Sequence, residues 1–178
     1  MRQLIIIISV ITFLFSCKND QKQEGNNEEV AFNIDSTLFN FERTDTFLNV
    51  KLPHLINWKV KKQINDNEKV KIILTHPDSL LFVEIENFEA RKPNSYNYYN
   101  NLFKKGDLAA QMLDISTYIK SDKKLIQIIL KDLNNINFKL IEDLNGVSKE
   151  VNIFIPNLNY VDVNIRIVES IIGVLDFI

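Results

Sequence analysis

The chain has 178 residues, of which 46% are hydrophobic and 25% are charged, a composition that suits one globular domain with a terminal appendage. Its 21 Lys+Arg and 23 Asp+Glu residues give a net charge of −2, so no strongly basic surface is expected for binding a nucleic acid. A single cysteine excludes a disulfide scaffold, and with only two histidines there are few candidate ligands for a Cys/His metal cluster.

The N-terminus carries a short apolar run. Met1 and Arg2 provide a positive start, and the twelve residues 4–15 are apolar except for Ser9 and Thr12. A transmembrane helix needs about 20 apolar residues, so a run of this length is typical of a signal peptide rather than of a permanent anchor.

The run ends in Leu14, Phe15, Ser16 and Cys17, which resembles the lipobox of bacterial lipoproteins. In that family a diacylglycerol is attached to the cysteine sulfur and the peptide is cleaved just before the cysteine. The new amino terminus is then usually acylated. The resemblance implies that residues 1–16 are a signal peptide and that Cys17 is the site of lipid attachment.

The alternative for Cys17 is burial in a hydrophobic strand, as is common for a free cysteine. It would leave the most apolar segment of the chain before a polar stretch with nothing to pack against. Residues 18–29 contain no apolar side chain and cannot offset the entropy of ordering. We therefore expect a flexible tether over residues 17–31 and one domain over residues 32–178.

Alternation of apolar and polar residues predicts most of the domain as β-strands. The predicted strands lie at residues 39–41, 48–52, 70–74, 81–85, 115–119, 147–155 and 161–167. A turn at residues 76–79 predicts that the third and fourth of these strands form an antiparallel hairpin. Asn145-Gly146 predicts a second hairpin, between a strand ending near Leu144 and one beginning at Val147, because both turn residues tolerate a positive φ. A polar turn is expected at residues 121–123.

Other segments have helical spacing. Residues 96–103 predict a helix with Ser95 or Asn94 as its cap, and residues 108–113 predict a second helical piece or a kinked continuation. Residues 125–133 fit both a helix and a strand, and their β-branched content favours the strand. A closing helix is predicted over residues 168–177.

This order of elements, with Pro53 ending one strand near Trp58 and with the closing segment 168–177, resembles the PsbP/Mog1-like domain. The resemblance spans residues 32–178. It implies a single α+β domain in which an antiparallel β-sheet is flanked by helices, with a non-catalytic accessory or binding task. It assigns no functional residue to a position of this chain.

Neither histidine lies in a spacing typical of metal ligands. His54 and His76 each stand beside a proline, which predicts two surface turns. No G-x-S-x-G motif occurs, and Cys17 is consumed by the lipid. We therefore expect neither a metal site nor a cofactor.

Two local patterns are candidates for a ligand site. Glu84 and Glu86 are expected to project from one face of a strand, where a carboxylate pair can transfer protons but is more often a solvated strand face. An aromatic and amide-rich patch could instead bind a glycan or a protein, or have Tyr99 in the core with the other side chains at its rim. The residues of this patch singled out for partner binding are Tyr96, Asn97, Tyr98 and Asn100.

The sequence thus predicts a lipid-anchored lipoprotein of the cell envelope that acts as a non-catalytic binding or accessory module. Lys18 follows the cysteine where enterobacterial lipoproteins of the inner membrane tend to carry Asp, so the resemblance implies the outer membrane, facing the periplasm or the cell surface. The expected partners are the membrane, through the lipid, and an envelope protein or glycan. The alternative is an envelope enzyme that uses carboxylates on a glycan or peptide.

Overall fold

The computed structural model describes residues 31–64, 69–89, 101, 112–144 and 147–178. Most of these residues lie in strands, and an α-helix follows the ninth strand. The elements are β1 (Phe39–Phe47), β2 (Val50–Leu55), β3 (Lys59–Ile64), β4 (Val70–Thr75), β5 (Phe82–Glu89), β6 (Met112–Lys120), β7 (Lys123–Lys131), β8 (Ile136–Leu144), β9 (Val147–Ile155), α1 (Val161–Val174) and β10 (Asp176–Phe177).

Seven strands form one antiparallel sheet in the order β3-β4-β5-β9-β8-β7-β6. The predicted hairpin of β4 and β5 is confirmed, with Ile72 opposite Ile85. The segment 125–133, which fitted both a helix and a strand, is the strand β7 over most of its length. Strands β8 and β9 pair as the Asn145-Gly146 signal predicted, and those two turn residues lie outside the described residues.

A smaller sheet has the order β1-β2-β10. Strands β1 and β2 are joined by Leu48 and Asn49, whose φ values of 47° and 64° are those of a tight hairpin turn. The prediction that Leu48 belongs to the second strand is therefore wrong, and β2 begins at Val50. The polar turn predicted at residues 121–123 is confirmed, with positive φ at Ser121 and Asp122.

One face of the large sheet, here called the inner face, packs against α1. Its core combines strand residues such as Ile85 and Ile153 with Val168, Ile171 and Leu175. The opposite, outer face buries a second apolar cluster around Ile126, Ile128 and Ile141. The sheet therefore buries apolar side chains on both faces, so alternation along a strand does not by itself tell which side meets water.

The strand predicted over residues 161–167 is wrong, because this segment is the first half of α1. The buried positions Val161, Asn164, Val168 and Ile171 recur every three or four residues, which is helical spacing, and the apolar alternation V-x-V-x-I-x-I only coincides with it. The closing helix predicted over residues 168–177 ends at Val174, and Asp176–Phe177 is a short strand instead.

The other helical predictions fall largely outside the described residues. That is true of the helix at residues 96–103, apart from residue 101, which is helical. Of the piece predicted at residues 108–113, only Met112 and Leu113 are described, and both lie in β6. No alternation predicted β3, where lysines interrupt the apolar pattern. No helix among the described parts of the chain has the length and apolar character needed to cross a membrane.

The N-terminal segment of the domain lies across α1 at Gly173. A Cβ atom added there would be 2.7 Å from Phe32 Cβ and 3.1 Å from Ile34 Cγ1. One turn earlier, Ser170 Oγ accepts a hydrogen bond from the Asp35 amide at 2.9 Å and itself donates to the Arg166 carbonyl oxygen at 2.8 Å. The absence of a side chain at Gly173 therefore allows this segment to contact the helix backbone closely.

This contact predicts an inverted effect of a Gly→Ala substitution. In most helices alanine is more stable than glycine by about 1 kcal/mol. At position 173 we expect Gly173→Ala to lower the free energy of unfolding, because the new methyl group must push Phe32 away, and overpacking costs about 1–3 kcal/mol. Urea unfolding followed by the fluorescence of Trp58, the single tryptophan, measures the change.

The control is the same substitution in a Phe32→Gly background, where the contact at 2.7 Å is gone, Ile34 Cγ1 remains at 3.1 Å, and the substitution is expected to destabilise less than in the wild type. A Gly173→Ala variant more stable than the wild type would contradict the packing described here.

Candidate functional site

The two acidic residues singled out in the sequence, Glu84 and Glu86, do lie on one face of β5. It is the outer face, and both carboxylates bind the same ammonium group. Lys71 Nζ is 3.0 Å from Glu84 Oε2 and 2.5 Å from Glu86 Oε1. Lys71 stands opposite Glu86 on the neighbouring strand β4, so strand pairing itself brings these charges together.

This charged band continues across β9 and β8. Lys139 Nζ bonds to Glu150 Oε1, which also accepts a hydrogen bond from Asn152 Nδ2 at 2.9 Å. Burial lowers the pKa of Lys139 to about 8, although the Glu84 carboxylate opposes the shift. Each of these three glutamates thus has a cationic partner, which is typical of a structural network of salt bridges.

A different polar group occupies the inner face of β6. Asp114, Ser116 and Tyr118, here called the polar row, alternate along the strand and so point to one side of the sheet. Ser116 stands opposite Gln127, and Tyr118 stands opposite Leu125, which belongs to the inner core. The polar row therefore faces the same side as α1.

Three oxygen atoms of the polar row are buried without a hydrogen-bond partner among the described residues. They are Asp114 Oδ2, Ser116 Oγ and Tyr118 Oη. A buried polar group that lacks a partner costs about 1–3 kcal/mol, so a row of three is an expensive arrangement for a structural element. Unsatisfied groups of this kind are a feature of sites that bind a polar ligand.

The protonation of the row favours hydrogen bonding over nucleophilic chemistry. Burial raises the pKa of Asp114 above its ordinary value, although the Ile115 amide and, less strongly, the Ser116 hydroxyl oppose the shift. Burial likewise raises the pKa of Tyr118, so its phenol stays neutral. Neutral hydroxyl groups of this kind can both donate and accept hydrogen bonds.

Lys120 closes the row at its C-terminal end. Its Nζ donates to the carbonyl oxygens of Ile172, at 2.7 Å, and of Leu175, so it satisfies the last turn of α1 and lies at the negative end of the helix dipole. The same ammonium lies 5.9 Å from the centre of the Phe32 ring. Burial lowers the pKa of Lys120 to about 8, and Asp176 partly offsets this.

The histidines lie elsewhere. The expectation that His54 lies in a surface turn is wrong, because it belongs to β2 and its Nδ1 is 2.6 Å from Asp45 Oδ2. The proline beside it occupies an irregular stretch of the small sheet, which explains why a strand contains it. His76 does follow β4 at the predicted turn, with its ring against the edge of Trp58. Within the described ranges no three His, Cys, Asp or Glu side chains are placed to hold a metal ion.

The remaining candidate residues, namely Cys17, Tyr96, Asn97, Tyr98 and Asn100, lie outside the described residues. The polar row was missed because D-x-S-x-Y on a strand whose other side reads I-x-T-x-I predicts solvent on the polar side. A useful signal would have been the run L-I-Q-I-I-L of β7, whose apolar residues on both faces indicate that its neighbours are covered on both sides.

The architecture is similar to the solution structure of cyanobacterial PsbP (CyanoP) from Synechocystis sp. PCC 6803. The TM-score is 0.54 at 6% sequence identity, and the match covers 88% of this chain and 98% of that chain. The fold is PsbP-like. This confirms the predicted α+β class: a seven-stranded antiparallel sheet with a smaller sheet and a C-terminal helix, in a single domain. At this identity the PsbP-like likeness concerns the fold alone.

A crystal structure of a protein from Bacteroides thetaiotaomicron VPI-5482 is also similar, with a TM-score of 0.44 and 12% identity. That match covers 73% of this chain and 45% of the other. No family model and no curated protein sequence matches the chain.

The unpartnered oxygens predict that removing hydroxyl groups from the polar row stabilises the protein. Ser116→Ala and Tyr118→Phe are each expected to raise the free energy of unfolding by about 1 kcal/mol, because each deletes a buried hydroxyl group that has no hydrogen-bond partner among the described residues. Ser170→Ala is the matched control: its hydroxyl is hydrogen-bonded, so the same change should lower stability by about 1 kcal/mol. Equal losses at positions 116 and 170 in urea unfolding would show that Ser116 is satisfied.

Lys120 predicts an unusual dependence of stability on pH. Its pKa of about 8 lies below the ordinary 10.5, so between these values the unfolded chain binds more protons than the folded one. The cost of burying the charge is present in full below pH 8 and is lost as the pH rises. We therefore expect the free energy of unfolding to rise from about pH 8 to about pH 10.

Lys139 contributes with the same sign. Substitution of Lys120→Met is expected to make the rise shallower, and Lys120→Met with Lys139→Met should remove most of it, as measured by urea unfolding across the pH range. The same slope in the wild type and in the double variant would contradict the burial of these charges.

Proposed function

We propose that this protein is a lipid-anchored lipoprotein of the cell envelope that acts as a non-catalytic binding or accessory module. The observation that carries the proposal is the lipobox-like sequence 14–17, which follows a twelve-residue apolar run and contains the single cysteine of the chain. One acyl chain holds a protein to a membrane only marginally, so the two or three chains of a lipoprotein cysteine are what make such attachment stable.

The junction between tether and domain fits this role. The twelve polar residues 18–29 can extend to about 40 Å at about 3.3 Å per residue, which allows the domain to reach away from the lipid surface. The chain is then fixed to α1 through Asp35 and Ser170 and through the close approach of Phe32 to Gly173. Such a domain would be held to the membrane through one defined end.

The chemistry of the described clusters favours binding over catalysis. A general acid or base must exchange a proton with a substrate, whereas Glu84 and Glu86 both bind Lys71. This arrangement gives no support to an envelope enzyme acting through those carboxylates. The polar row, with its two hydroxyl groups and a carboxyl group, suits a hydroxyl-rich ligand such as a glycan, or a polar segment of an envelope protein. Lys18 favours the outer membrane as the location.

Substitution of Cys17→Ser tests the anchor. The hydroxyl cannot accept the diacylglycerol, so the chain is expected to lose its acyl label and leave the detergent-extractable membrane fraction, whereas the wild type remains there. Ser16→Ala is the matched control, because it keeps a small residue beside the cleavage site. Fractionation with incorporation of labelled palmitate measures both properties. A Cys17→Ser chain that is still acylated and membrane-bound would contradict the proposal.

A further inference from the structure

Strand β3 is an open edge of the seven-stranded sheet. Among the described strands it pairs only with β4, and all six of its residues, Lys59–Ile64, are exposed. In an antiparallel pair, alternate residues of an edge strand direct their N–H and C=O groups away from the neighbour. The free edge of β3 therefore presents a ladder of backbone donors and acceptors to solvent.

The side chains of β3 give this edge a distinct chemistry. Its three lysines, Lys59, Lys61 and Lys62, form no ion pair among the residues that the structure describes. The nearest lysine on β4, Lys71, is occupied by two glutamates. Among the described residues, the edge thus carries three positive charges without an acidic partner, in a chain whose net charge is −2.

The strand is also amphipathic. The register places Lys59 opposite Thr75 and Lys61 opposite Ile73, on the outer face of the sheet. Val60 and Ile64 point to the inner side, with Lys62 between them, and 53% and 64% of the surfaces of the two aliphatic residues are exposed.

We propose that β3 is a docking edge for an extended acidic segment of a partner protein, which adds to the sheet as an eighth strand. Backbone hydrogen bonds to the open ladder hold the segment. Carboxylates at alternate positions face Lys59 and Lys61, and small apolar side chains between them cover Val60 and Ile64.

The charge of the edge selects this occupant over a second copy of the chain. Two β3 strands paired with each other would bring six lysines together, and like charges across a strand pair are destabilising. An anionic membrane surface matches the lysines but not the rest of the edge, because lipid headgroups have no backbone ladder to offer. The observations therefore favour an acidic peptide over both.

The inference names a partner for the proposed binding module and does not depend on the lipid. The probe is a synthetic acetylated and amidated heptapeptide, Glu-Val-Glu-Thr-Glu-Val-Glu, titrated into the full chain in a neutral detergent. Two matched peptides accompany it, one with Gln in place of each Glu and one with its backbone amides N-methylated. Calorimetry gives the affinity, and amide hydrogen exchange locates the contact.

We expect the acidic peptide to bind and to slow amide exchange in β3, with both matched peptides binding at least about tenfold more weakly. The variant with Lys59→Gln and Lys61→Gln is expected to lose about tenfold in affinity, because each exposed ion pair contributes modestly. The control variant with Lys51→Gln and Lys124→Gln, two exposed lysines on other strands, should bind as the wild type does.

Several outcomes would overturn the inference. They are no binding at millimolar peptide, equal binding of the N-methylated peptide, and equal losses in the two lysine variants. Preferential binding of β3 to phosphatidylglycerol vesicles would assign the edge to a membrane. If the Lys59→Gln, Lys61→Gln variant self-associates and the wild type binds no peptide, the lysines instead prevent β3 strands of two chains from pairing. None of these results bears on the Cys17 anchor, so failure here and failure of the proposed anchor are distinguishable.

Discussion

The contact of residues 32–35 with α1 is the constraint on which the arrangement of this domain depends. It requires Gly173, because any side chain there would occupy the space of Phe32. It also brings Phe32 beside Tyr118 and Lys120, with the rings of Phe32 and Tyr118 6.0 Å apart. A single close approach thus joins the start of the domain, its helix and the edge strand β6.

The same junction lies next to groups whose burial is costly. The Lys120 ammonium bonds to the carbonyl oxygens at the end of α1, which offsets part of its desolvation cost, whereas three oxygen atoms of the polar row have no hydrogen-bond partner among the described residues. Natural domains retain such costs mainly where a ligand uses the groups. The charged band on the outer face is the opposite case, because each glutamate there has a partner. The inner row is therefore the better candidate for binding, although the outer glutamates stand out more clearly in the sequence.

Most strands of the large sheet could be predicted from the sequence, because β4, β5 and β9 alternate and their turns carry recognisable residues. Prediction failed where one pattern fits two structures. Residues 161–167 satisfy strand and helix spacing together, and only the packing of buried Asn164 and Val168 under the sheet selects the helix. The polar row was not predicted for another reason, because which side of β6 is buried depends on the packing of the whole sheet. The lipid anchor stays a prediction, since it rests on residues that the structure does not describe.

The most direct test of the central claim, a membrane-anchored chain that begins at Cys17 after cleavage, is mass spectrometry of the N-terminal peptide of the protein extracted from its own cells. The account predicts a first peptide that starts at Cys17 and is heavier than its sequence by a diacylglycerol group, with a further acyl chain where the amino terminus is modified. A peptide in which Ser16 is still joined to Cys17, with an unmodified thiol, would contradict it.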